Sequence, residues 1–142
     1  MFATAIDGVV TNVATITDFP TGSVERGEVG KISTVKNAAC LVMPDFGKPA
    51  SLTGDTGELS KQIPFHANCF VIAAGKKTLK LCENAVMDLA FKVIDKVGTT
   101  EALISMNGNQ KYCYWELTGF EWEDRSASLC VIALEFTINL QL

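Results

Sequence analysis

Hydrophobic positions in this chain change period along its length, and each change marks an element. From Phe2 to Thr15 the apolar residues Phe2, Ile6, Val9, Val10 and Val13 recur at steps of three and four, with Asp7, Thr11 and Asn12 opposite, which predicts an amphipathic helix. Its β-branched residues and Gly8 lower its intrinsic propensity, so packing has to supply the stability. Asp18-Phe19-Pro20-Thr21-Gly22 ends it, because proline cannot continue a helix and disfavours helical geometry in the residue before it. Glu25 to Lys36 is polar and broken by Gly27 and Gly30, which predicts a loop with a short strand. Ala38 to Met43 is a compact apolar run between Asn37 and Pro44 whose length suits a buried strand better than a helix.

Gly47, Pro49, Gly54 and Gly57 recur through Asp45 to Glu58 and predict a flexible hairpin loop at about residues 45–61. Phe65 to Ala73 then alternates, with His66, Asn68, Phe70 and Ile72 on one side and Ala67, Cys69, Val71 and Ala73 on the other, as a strand does. Gly75 marks its exit and Thr78 is placed to cap a helix. That helix, Thr78 to Val97, carries a continuous stripe of Leu79, Cys82, Val86, Leu89, Val93 and Val97, with Lys80, Asp88, Lys92 and Asp95 outside it and Gly98 at the expected stop.

Leu103 to Met106 predicts a short strand closed by an Asn107-Gly108 hairpin turn. The returning strand sets Cys113, Trp115 and Leu117 against Tyr112, Tyr114 and Glu116 and continues past Gly119 to Trp122, after which Glu123 to Ala127 turns the chain. In the closing strand Leu134, Phe136, Ile138 and Leu140 alternate with Glu135, Thr137, Asn139 and Gln141. Hairpin connections of this kind predict an α+β fold: a mixed, mainly antiparallel β-sheet covered on one face by two helices, the N-terminal helix and Thr78 to Val97.

Composition narrows the function classes. The 142 residues fit one domain, which at this size buries roughly 68–70% of the surface its unfolded chain exposes. With 48% hydrophobic and 20% charged residues, the chain lies away from the composition of disordered segments. A net charge of −4 leaves no basic surplus to neutralise phosphates, which argues against nucleic-acid binding. Met1 to Ile16 lacks a signal-peptide pattern, and no apolar run reaches the roughly 18 residues of a membrane span, so a soluble cytosolic product is expected. The five cysteines, Cys40, Cys69, Cys82, Cys113 and Cys130, are odd in number and each lies in an apolar context, which predicts buried free thiols in a reducing compartment.

The apparent chemical motifs fail in context. Asp55-Thr56-Gly57 spells the triplet of retroviral-type aspartic proteases, but no apolar strand precedes it and a turn built from Asp and Gly accounts for it. Gly75-Lys76-Lys77-Thr78 lies where a phosphate loop would, yet Phe70 and Lys77 occupy positions that the full pattern gives to Gly and to Ser or Thr. His66 is the one histidine, and Cys69, three residues on, falls on the opposite face of a strand, so the two cannot share a metal. No metal site, cofactor site or catalytic residue is expected. Tyr112, Tyr114, Trp115, Phe120 and Trp122 could stack on bases, but Glu116, Glu121, Glu123 and Asp124 beside them would repel phosphates, leaving core packing or a protein interface.

Taken in order, the elements resemble the tail terminator proteins of long-tailed bacteriophages and related minor tail proteins. The resemblance is carried by Ala3 to Val10, the strand Ala38 to Pro44, the strand His66 to Ile72, the long helix and the closing Ala133 to Asn139. It covers most of the chain as a likeness of size, order and pattern, since these proteins have no diagnostic short motif. It implies a non-enzymatic structural protein of the virion tail, assembled in the host bacterial cytoplasm. Such proteins close into a homo-oligomeric ring, usually hexameric, that caps the tail tube, ends its elongation and offers a head-docking surface. Its partners would be the tail tube protein and a head–tail connector protein, with no membrane and with DNA only passing through the bore. An acidic subunit suits such a conduit. Asp55, Glu58, Glu121, Glu123, Asp124, Glu135, Thr137 and Asn139 are the expected interface residues, and 47–61 is expected to order against a neighbour. The competing expectation is a small α+β hydrolase or ligand-binding domain using His66 and the Asp55 loop.

Overall fold

The computed structural model describes residues 2–27, 29–45, 62–97 and 113–141. Within them the chain forms α1 (Phe2–Val13), β1 (Val24–Arg26), a 3-10 helix (Val29–Thr34), β2 (Ala38–Asp45), β3 (Gln62–Ala74), α2 (Leu79–Val97), β4 (Cys113–Arg125) and β5 (Leu129–Gln141). The strands make one five-stranded sheet in the order β1-β2-β3-β5-β4. β1 runs parallel to β2 and every other pairing is antiparallel. The fold is therefore α+β, a mixed and mainly antiparallel sheet with both helices on one face, as the hairpin pattern predicts.

Alternation decides which side chains meet the helices. Ala67, Cys69, Val71 and Ala73 of β3 and Cys130, Ile132, Leu134 and Phe136 of β5 are buried in one cluster with Ile6, Val9 and Val13 of α1 and Cys82, Val86, Leu89, Val93 and Val97 of α2. On the opposite face Ala39, Leu41, Ile72 and Val131 pack under Ile32 of the 3-10 helix. One end of the central strands is thus buried on both faces. At the other end the face away from the helices is polar.

Local chemistry sets the boundaries. Thr78 caps α2, its hydroxyl accepting the Leu81 N–H at 3.2 Å. α1 stops at Val13, where the Ile16 N–H bonds back to the Val13 carbonyl at 3.0 Å, and Ile16 and Phe19 then fold into the core. Gly75 has φ of +74°, and a Cβ there would lie 2.8 Å from the Lys36 carbonyl oxygen, so both conformation and space demand glycine. Pro44 is tolerated in β2 because β1 pairs only with Cys40 to Val42, leaving that side of Pro44 without a ladder partner.

Several boundaries differ from those the sequence predicts. β2 extends through Asp45, which pairs with His66, and β3 begins at Gln62, because the β3–β5 ladder continues to Gln62 opposite Gln141. Glu123, Asp124 and Arg125 belong to β4, and the turn is the shorter Ser126 to Ser128, closed by the Ser126 N–H donating to the Leu129 carbonyl at 2.8 Å. Leu79 leaves the predicted stripe and is 38% exposed, since it lies past the end of the sheet; Ala90 joins the stripe instead. The remainder of the 45–61 loop, Gly98, the Leu103 to Met106 strand and the Asn107-Gly108 turn lie outside the described residues.

Candidate functional site

The face of the sheet turned away from the helices gathers most of the polar side chains that could do chemistry. His66 of β3 stands opposite Thr137 of β5, and Thr137 stands opposite Glu116 of β4. The His66 Nδ1 lies 3.0 Å from the Thr137 hydroxyl, which lies 2.8 Å from the Thr118 hydroxyl. Thr118 donates to Glu135 Oε1 at 2.7 Å, and that carboxylate is 3.9 Å from His66 Nδ1.

This chain of contacts lacks the arrangement of a nucleophile relay. In such a relay the base takes the hydroxyl proton on one ring nitrogen while a carboxylate orients the other. Here the hydroxyl and the carboxylate both approach Nδ1. The contacts satisfy one another across three strands, which is what a half-buried polar face requires.

The four described thiols offer no nucleophile either. Cys40, Cys69, Cys82 and Cys130 are buried and unpaired by disulfide, all on the helix side, and His66 is on the other face. Cys82 donates to the Ala73 carbonyl at 3.2 Å and Cys130 to the Ser126 carbonyl at 3.3 Å. The hydrogen bond with Cys69, together with burial, holds the Cys40 thiol well above its ordinary value. Burial first, and the Cys82 contact second, pushes Cys130 up to about 11. These groups stay protonated near neutrality and act as small core residues. Among the described residues no cluster of three or more His, Cys, Asp or Glu is placed to hold a metal ion.

The residues expected at an interface are only partly brought together. Glu121, Glu123 and Glu135 line one groove with Asn68 and Phe70 on the polar face, beside the edge of β4 that pairs with no described strand. Thr137 adjoins that groove through Thr118 and Glu135. Asp124 lies farther along β4, opposite Val131. Asn139 takes its place in β5 opposite Pro64 and Tyr114. Asp55 and Glu58 lie outside the described residues.

Sequence reasoning missed a second surface, on the helix side of the same edge. α2 lies over β3 and β5, and between it and β4 runs an apolar groove of about 350 Å³ formed by Met87, Phe91, Ile94, Phe120 and Trp122, with Glu121 at its rim. Phe91 is 71% exposed and Phe120 73%, and the Arg125 guanidinium stacks 5.4 Å from the Trp122 ring. Two bulges aim these side chains. Thr118 and Glu123 are each extra residues relative to β5; the first bulge turns Phe120 and Trp122 to the helix face with Leu117, and the second returns Arg125 to it. Gly119 and the concentration of aromatics were the available signals.

Among the described residues no helix is long and apolar enough to cross a membrane. No protein-family model and no curated protein matches the chain.

Proposed function

We propose that this chain is a structural assembly subunit, a tail-terminator-like protein that forms a ring on a phage tail tube, ends its elongation and provides the surface for head docking. The observation that carries the reading is the β4 edge. It pairs with β5 on one side and with no described strand on the other, and it is flanked by aromatic side chains left in water. Contiguous exposed aromatics are liabilities unless a partner covers them. The described polar residues around His66 hydrogen-bond to one another, which supports the assembly reading.

The polar face suits the wall of a conduit. Glu116, Glu121, Glu123 and Glu135 share it, and no lysine or arginine is among the described residues lining their groove, so it would not hold passing DNA by its phosphates. The ring would be a homo-oligomer, with the tube protein on one side and the connector on the other, inside the virion tail. The test is addition of the purified chain to polymerising tail tubes, read by electron microscopy. Tubes of arrested length carrying a ring at one end are expected. Tubes that grow as they do without it overturn the proposal.

A further inference from the structure

Among the described residues the exposed large hydrophobic side chains are Leu79, Leu81, Met87, Phe91, Phe120 and Trp122, and they fall into two patches of opposite electrostatic character. The first is a knob where α2 begins. Leu79 and Leu81, 38% and 51% exposed, are interleaved with Lys76, Lys77 and Lys80. None of these three lysines forms an ion pair with another described residue.

The second patch is the groove between α2 and β4. On α2, Asp88 and Asp95 stand one helical turn to either side of Phe91, both exposed. The nearby cations are already engaged: Lys92 is 2.6 Å from Asp18, and Arg125 lies over Trp122. An apolar floor with an unneutralised acidic rim is the complement of a pair of leucines ringed by lysines.

We infer that the groove receives the Leu79–Leu81 knob of a second copy of this chain, in a head-to-tail contact. The patches cannot satisfy each other within one subunit. Leu79 and Phe91 are about 18 Å apart along one rigid helix. A two-fold contact of groove on groove would set Asp88 and Asp95 against their own copies, whereas the head-to-tail contact sets them against lysines. Such a contact is heterologous, and it yields either a closed ring or an open filament. The inference deepens the assembly reading above and rests on it for the expectation that copies meet at all.

The test uses the full chain with Phe91→Ser, which damages the groove, and Leu81→Ser, which damages the knob. Both sites are exposed, and matching circular dichroism and melting curves establish that the variants fold. Sedimentation velocity is expected to show wild type associating with rising concentration and each variant at least tenfold weaker. An equimolar mixture is expected to regain association but stop at a dimer, because one intact knob meets one intact groove and both outer surfaces are damaged. Wild type that stays monomeric to about 1 mM overturns the inference. So does a Leu81→Ser variant that assembles like wild type, or a mixture no better than its components. The two proposals fail separately. Association without tube capping refutes the tail reading alone, and tube capping by Phe91→Ser at the wild-type level refutes this contact alone.

Discussion

Phe120 and Leu134 are register partners on the same face of the same sheet, yet Phe120 is 73% exposed and Leu134 1%. The difference is one strand's width. α1 packs on β1 and β2, and α2 on β3 and β5 with only a smaller contact to β4, so the two helices cover four strands and leave the outer part of β4 beyond their reach. Leu134 sits under α2 among Val86, Leu89 and Val93, whereas Phe120 stands at the margin. An apolar residue on a given face is thus a core residue only where a second layer extends over it. β4 carries core-like residues without that layer, as a surface awaiting a partner does.

The contrast can be broken from the closed side first. Leu134→Ala leaves a hole beneath α2 and is expected to cost about 3 kcal/mol in chemical denaturation. A loss under about 1 kcal/mol would mean that α2 does not pack as described. Raising the pH probes the same core. The unfolded Cys130 thiol ionises near 9 while the folded one keeps its proton to about 11. Between those values the unfolded chain binds fewer protons, so stability is fully present below about 9 and falls as pH rises toward about 11. Cys130→Ala measured across the same range should flatten that slope. A smaller loss, about 1–2 kcal/mol, is expected of Gly75→Ala, from its left-handed φ and the contact with the Lys36 carbonyl. On the open side Phe120→Ser is expected to change monomer stability by no more than about 0.5 kcal/mol while weakening self-association.

The closed side was the legible one. The alternation of Leu134 and Phe136 against Glu135 and Thr137 placed β5 correctly, and the stripe from Cys82 to Val97 placed α2, because burial under a second layer imposes a period that residue type records. Edge features leave weaker marks. The bulges at Thr118 and Glu123 break the period of two, so a strict alternation misassigns the faces beyond Leu117. The 3-10 helix over Ile32 has no periodicity to read in six residues. Exposure of Phe120, Trp122 and Leu79 depends on where α2 ends and how far it reaches, which is a property of the assembled layers. The acidic residues of β4 were found from charge alone, but the aromatic groove behind them required the fold.

The proposed contact joins copies of this chain on the exposed side of α2 and β4, around Phe91, Phe120 and Trp122. Hydrogen exchange on the intact protein, compared between dilute and concentrated samples, tests it most directly. Concentration-dependent protection is expected in β4 around Phe120 to Trp122, in α2 around Phe91, and in the amides from Gly75 to Leu81, with the central strands unchanged. Equal protection of those segments at both concentrations, or new protection confined to β1 and α1, would contradict it.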